Sequence, residues 1–278
     1  MNFTKMQGTG NDFIIINGFK ELVNGINWPA LSRKLCDRHY GIGADGVILA
    51  LRSKKADLLM KIYNADGSEA EMCGNGIRCF AFFAWKKKLV TKKSFSVETL
   101  AGLMKPEIVE MADNKALVKI DMGQPRFNPK EIPVNLDKQF PIKLAEARLK
   151  NKTITFTPVG MGNPHAVVFV EDTDNYPVRE IGEEMETNKL FPKRTNVEFI
   201  EILSKKEIKM RVWERGSGET LACGTGACAS VVAGILLEKL NNLVKVHLLG
   251  GDLNIEWHDG KSVFMTGPAE TVFDGKIK

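Results

Sequence analysis

The stretch Asn64-Ala-Asp-Gly-Ser-Glu-Ala-Glu-Met-Cys73-Gly74-Asn75-Gly76 returns 150 residues later as Glu214-Arg215-Gly-Ser-Gly-Glu-Thr-Leu-Ala-Cys223-Gly224-Thr225-Gly226, without a gap. Working outward, Gly8-Thr-Gly10-Asn11-Asp12 has its counterpart in Gly160-Met-Gly162-Asn163-Pro164, at an offset of 152. Two repeated elements in the same order imply two similar halves. A pseudo-two-fold arrangement of such halves sets two cysteines against each other across one cleft.

A helical pattern follows each Cys-Gly-x-Gly block. After Gly76, Ile77, Phe80, Ala81, Ala84, Trp85 and Leu89 recur at helical spacing. After Gly226 the chain is apolar nearly all round, which marks a buried helix. Two further helices are expected, over Trp28–His39 and Val178–Glu186. Between them lie short period-2 runs rich in β-branched residues and bounded by Gly, Asn, Asp or Pro, such as Asp57–Tyr63, Asn196–Ile202 and Glu207–Trp213. The expected fold class is therefore α+β, with two domains, each a curved, mostly antiparallel sheet around one central helix, and an active site in the cleft between them. Turn residues at Asp121-Met-Gly-Gln-Pro125 place the boundary, giving residues 1–121 plus 268–278 and residues 122–267. Gly41-Ile-Gly-Ala-Asp-Gly46 fits G-x-G-x-x-G, but it follows a helix and opens the apolar strand Val47–Leu51. A dinucleotide site needs the reverse order.

Composition narrows the function classes. The 278 residues are 44% hydrophobic and 26% charged, as in a globular protein, with a net charge of +5. The only dense basic run, Lys86-Lys87-Lys88 with Lys92-Lys93, ends a helical pattern and reads as a solvated face rather than a nucleic-acid patch. No signal peptide is visible, and the longest apolar stretch, Ser230–Leu237, is far short of a membrane span. Five cysteines without zinc-finger spacing read as free thiols in a reducing compartment, and no metal site is expected.

A cysteine at the start of a buried helix has special chemistry. The first-turn N–H groups have no partner within the helix, and the helix dipole adds partial positive charge there. Both favour thiolate, below the free value of about 8.5. The N–H groups of Gly74, Asn75, Gly224 and Thr225 also form anion sites suited to a carboxylate. An α-amino carboxylate held there loses its α-proton to one cysteine and regains it from the other on the opposite face. This chemistry calls for no pyridoxal phosphate, and no Schiff-base lysine is apparent. His165, following a duplicated Gly-x-Gly-Asn, and Glu214 are the candidates for setting the cysteine protonation states. Cys36, Cys79 and Cys228 read as small buried hydrophobes.

The blocks Gly8–Phe13, Glu71–Cys79, Gly162–His165, Thr195–Glu198, Glu214–Gly216 and Ala222–Cys228 resemble those of the diaminopimelate epimerases, in order and over nearly the whole chain. The resemblance implies a cofactor-independent two-cysteine isomerase of lysine and peptidoglycan biosynthesis, a cytoplasmic homodimer that interconverts LL- and meso-diaminopimelate. It implies Cys73 and Cys223 as the catalytic pair. It also implies substrate contacts at Asn11, Asn64, Gly74, Asn75, Asn163, Asn196, Glu214, Arg215, Gly224 and Thr225. Arg215 would grip the distal carboxylate at two points, and the asparagines the distal head group. Some members of that family carry glutamine where Gly46 stands, so a polar contact there is missing or supplied by another residue.

Other readings remain open at this stage. A proline racemase-like enzyme shares the paired cysteines but gives Arg215 and the asparagines nothing to hold. A phenazine-pathway type of isomerase needs only part of the cysteine pair. A Cys/His acyl-transfer enzyme or a plain amino-acid binding module leaves the second Cys-Gly-x-Gly unexplained.

Overall fold

The computed structural model describes residues 1–137 and 139–277. The chain divides into two units, Met1–Asp121 with Thr266–Lys278, and Met122–Met265.

The first unit runs β1 (Asn2–Gly8), β2 (Asn11–Asn17), α1 (Trp28–Cys36), β3 (Gly46–Leu51), β4 (Leu58–Asn64), β5 (Glu69–Ala70), α2 (Gly74–Lys86), β6 (Val97–Thr99), β7 (Gly102–Met104), β8 (Glu107–Met111) and β9 (Lys115–Asp121). The second runs β10 (Ala145–Arg148), β11 (Thr153–Gly160), β12 (Pro164–Phe169), α3 (Val178–Glu186), β13 (Asn196–Ser204), β14 (Glu207–Glu214), β15 (Gly218–Thr220), α4 (Gly224–Leu236), β16 (Leu243–Leu248) and β17 (Gly251–Glu256). The last strand, β18 (Phe264–Lys276), pairs antiparallel with β1.

The units share one pairing plan. In the first, β1–β2 is antiparallel, β2–β3 parallel, β3–β4 antiparallel, β4–β6 parallel and β6–β7 antiparallel. In the second, β11–β12, β12–β13, β13–β14, β14–β16 and β16–β17 repeat that series. Register repeats too: Phe13 sits opposite Gly46, and His165 opposite Asn196. Each sheet thus contains two parallel pairs that alternating patterns alone did not distinguish. In both units a helix, α1 or α3, joins the first parallel pair, a connection parallel strands require.

Alternation along these strands decides what each helix meets. Successive side chains of a strand point to opposite faces. Val47 and Leu49 join the cluster that covers α1, with Trp28 and Leu35, while Ile48 reaches the start of α2. Val197 and Phe199 likewise join the cluster with Ile181 and Met185 of α3. The intervening residue, Glu198, reaches the start of α4. Helix α2 packs on β1, β2, β3, β8 and β9, and α4 on β11, β12, β13 and β17. Both central helices end alike, with Lys88 and Glu238 in the left-handed region at φ 58° and 59°.

Helix α1 stops at Cys36, three residues before the end its pattern predicts. The Asp37 carboxylate accepts from the N–H groups of His39 and Tyr40, both at 2.7 Å, and this local turn competes with a further helical turn. The Gly41–Gly46 turn leads into β3, so no helix N-terminus follows it. No helix among the described residues is long and apolar enough to cross a membrane.

Candidate active site

In the first unit Cys73 is the N-cap of α2. Its extended backbone lets Sγ accept from the Gly76 N–H at 3.4 Å. Sγ also lies 3.4 Å from Asn11 Oδ1, which accepts from Asn75 Nδ2 at 3.4 Å. Asn11 in turn donates to Asp45 at 2.6 Å. Behind it Asp12 pairs with Lys5 at 2.6 Å and Arg38 at 2.9 Å. Burial alone would raise Asp12, but hydrogen bonds from Arg38 and Lys5 outweigh it and hold the carboxyl at about 2. Arg78, fully buried, donates to Thr9 Oγ1, Gly74 O and Pro268 O, fastening the Gly8–Gly10 turn to the start of α2. Asn64, at the end of β4, donates to Ser68 at 2.9 Å. Asn11, Cys73, Gly74 and Asn75 are therefore one cluster, with Asn64 on the strand leading into it.

At Gly46 an added Cβ would lie 2.9 Å from the Tyr63 carbonyl. The backbone excludes a side chain there, so a glutamine contact is absent at this position.

In the second unit Cys223 is the N-cap of α4 and is almost fully buried. Its Sγ lies 3.5 Å from Thr225 Oγ1. Asn163 Nδ2 donates to the same hydroxyl at 3.3 Å, and Asn163 Oδ1 faces His165 Nε2 at 2.9 Å. His165 Nδ1 lies 2.7 Å from Glu198 Oε1, and both side chains are 0% exposed. Glu214 accepts from Thr220 Oγ1, and its carboxylate acts on Cys223 by charge. The structure thus brings Asn163, His165, Glu214, Gly224 and Thr225 around Cys223.

Asn196 is buried between two backbone groups. It donates to Pro164 O at 2.8 Å and accepts from the Arg215 N–H at 2.9 Å. The Arg215 guanidinium donates to Lys193 O at 3.2 Å.

One expectation is corrected. The helix N-terminus was expected to favour thiolate at both cysteines, yet Cys223 is pushed well above the ordinary thiol value. Burial is the main cause and the carboxylates of Glu214 and Glu198 add to it, outweighing hydrogen bonds from Thr225 and Gly226. Burial also raises Glu214. Cys36 is pushed up to about 11 and Cys79 to about 12, again by burial, which suits inert core thiols.

Glu198 is the residue that sequence reasoning passed over as a candidate. Its signal was available: the 150-residue offset aligns it with Ile48, and strand alternation turns both toward the central helix. A carboxylate at a core-facing position calls for a partner.

The sequence pattern of the family described as diaminopimelate epimerase matches residues 3–128 and 157–272. Diaminopimelate epimerase of Halothermothrix orenii is 55% identical, over 100% of this chain and 98% of that protein. That of Pelotomaculum thermopropionicum is 52% identical, over 99% and 98%, and that of Methanococcus maripaludis 48%, over 100% and 99%. Among solved structures, a probable proline racemase from Agrobacterium radiobacter shares the fold with a TM-score of 0.70 at 17% identity, covering 100% of this chain and 92% of that one. A phenazine biosynthesis protein from Bacillus anthracis does so with 0.69 at 16%, covering 100% and 99%.

Proposed function

The chain belongs to the diaminopimelate epimerase family, and from that premise we propose that it converts LL-2,6-diaminopimelate to the meso form without a cofactor. The observation that carries the reading is the equivalence of Cys73 and Cys223, each the N-cap of the central helix of its unit. Two such thiols, one ionised and one protonated, supply the base and the acid for inversion at one α-carbon. Cys223, held up by burial and by Glu214 and Glu198, carries its proton at neutral pH.

The roles of the other residues follow from their chemistry. First-turn N–H groups at Gly74, Asn75, Gly224 and Thr225 receive the α-carboxylate and stabilise the charge that grows as the proton leaves. Arg215 grips the distal carboxylate, with its backbone steadied by Asn196. Asn11, Asn64, Asn163 and Asn196 hold the distal amino-acid head. Glu214, with His165, sets the charge around Cys223. The enzyme acts as a homodimer in the cytoplasm; the five free cysteines suit a reducing compartment. Arg215 and the asparagines favour this substrate over proline, which has no distal head.

Incubation with LL-diaminopimelate in heavy water, with proline in parallel, tests the reading. Deuterium at one α-carbon of diaminopimelate together with inversion supports it. Exchange and inversion of proline instead would replace it with a proline racemase.

A further inference from the structure

The environments of the two cysteines differ beneath the helix. Under α2, an added Cβ on Gly76 would meet Ile48 Cδ1 at 3.3 Å and Phe13 Cζ at 3.4 Å. Under α4, an added Cβ on Gly226 would meet Glu198 Oε1 at 2.7 Å. Register equates Phe13 with His165, and the 150-residue offset equates Ile48 with Glu198. An apolar pair in one unit is replaced by a buried imidazole and carboxyl in the other. Glu198 Oε2 has no hydrogen-bond partner among the described residues. Such a group is costly to keep, so the carboxyl has a task that offsets the cost.

The hydrogen bonds define that task. They run unbroken from Glu198 through His165, Asn163 and Thr225 to Cys223. Their direction is fixed by donor chemistry. Asn163 gives an N–H to Thr225, so its oxygen faces His165, and His165 Nε2 must carry a hydrogen. Thr225, already accepting from Asn163, has its own hydroxyl hydrogen left for the sulfur. His165 Nδ1 and Glu198 share the remaining proton, and the pair is neutral overall whichever atom holds it.

We infer that Glu198 is a positioning residue that anchors the His165 ring with Nε2–H toward Asn163, and so aims the Thr225 hydroxyl at Cys223 whenever that sulfur is thiolate. This role rests on the two-cysteine reading, in which Cys223 becomes thiolate once per cycle. It gives the Cys223 side a donor chain built from residues whose counterparts beside Cys73 differ. There Asn11 Oδ1 meets the sulfur directly, and Phe13 and Ile48 have no polar atoms to extend the chain. Around Cys223 stand Glu198 on β13, Glu214 on β14 and Thr225 on α4, with His165 on β12 against Glu198. Any negative charge on Glu198 acts against thiolate, but the proton it shares with His165 Nδ1, 2.7 Å away, offsets it. Loss of the directed donor is therefore the larger effect of removing Glu198.

The pH dependence of alkylation of each cysteine, read by peptide mapping, tests this without substrate. Its outcome is thus separate from whether diaminopimelate is turned over. Glu198→Ile leaves Nδ1 unpaired and the ring unanchored. The Cys223 midpoint should rise by about one pH unit, about tenfold slower alkylation at a fixed pH below it. Glu198→Gln can donate to Nδ1 and keep Nε2–H in place, so it should hold the wild-type midpoint. His165→Phe with Glu198→Ile copies the packing of the first unit and guards against misfolding of the single variant; it should behave as Glu198→Ile. Cys73 should titrate unchanged in all three. A fall in the Cys223 midpoint in Glu198→Gln would overturn the inference, because charge rather than positioning would then govern the thiol. So would an unchanged midpoint in the folded Glu198→Ile or double variant.

Discussion

The start of α2 and the start of α4 have the same backbone and different chemistry beneath it. Each begins with an extended cysteine followed by Gly-x-Gly, and each sits over a β-strand pair in the same parallel register. Under α2 the strands present Phe13 and Ile48; under α4 they present His165 and Glu198. Cys73 is half-buried against Asn11, whereas Cys223 is nearly enclosed, with Glu214 and Thr225 at its sulfur. Duplication therefore supplied two equal scaffolds, and a few strand residues made the thiols unequal. That inequality holds the proton firmly on Cys223, whose thiol is pushed well above the ordinary value.

The comparison is broken most severely by removing either sulfur. Cys73→Ala and Cys223→Ala should each lower kcat for epimerisation by at least about a thousandfold, since each removes one partner of a two-sided proton transfer. A single variant with near wild-type turnover would show that one scaffold suffices. Arg215, which occupies the place of Ala65 in the first block, comes next. Arg215→Lys should lower kcat/KM for diaminopimelate by about tenfold to a hundredfold, because lysine keeps the charge but not the planar two-point grip. Unchanged kinetics would assign the guanidinium to its bond with Lys193 O alone.

Two stability measurements sharpen the contrast. Gly226→Ala drives a methyl against Glu198 Oε1 and should cost about 1–3 kcal/mol in chemical unfolding. Gly76→Ala meets Ile48 and Cys73 atoms at 3.3 Å, which yield by small shifts, and should cost less than about 1 kcal/mol. Equal costs would mean that Glu198 is not held in place.

The smallest effect concerns acid. Asp12 titrates at about 2 in the folded unit against 3.8 ordinarily. Its stabilisation is therefore present above about pH 4 and lost as pH falls toward about 2. Because Asp12 remains partly open to solvent, the amount is below about 1 kcal/mol. Asp12→Asn should lower the urea midpoint at about pH 6 and leave it nearly unchanged near pH 2. A midpoint insensitive to the substitution at both pH values would remove Asp12 from the account of the first unit's stability.

Repetition and residue chemistry made much of this protein legible. The gapless 150-residue offset announced two like units and placed Cys73 and Cys223 at helix starts, where unpaired N–H groups follow from helix geometry itself. Helix α3 was read to the residue, because its apolar spacing and length are local properties. The end of α1 was not, because the Asp37 side chain bonds its own neighbours and overrides the pattern. Parallel pairing was likewise hidden, since alternation is the same whichever way the neighbouring strand runs.

The sequence by itself determined the duplication, the secondary structure between its turns, the buried central helices and the cysteine pair, because these depend on spacing along the chain. Tertiary structure alone decided that Glu198 meets His165, that Asn163 and Thr225 complete the path to Cys223, and that burial pushes this thiol up. A pKa is set by every group and every lost water around an atom. The groups around Cys223 come from β12, β13, β14 and α4, segments far apart in the chain that only folding brings together.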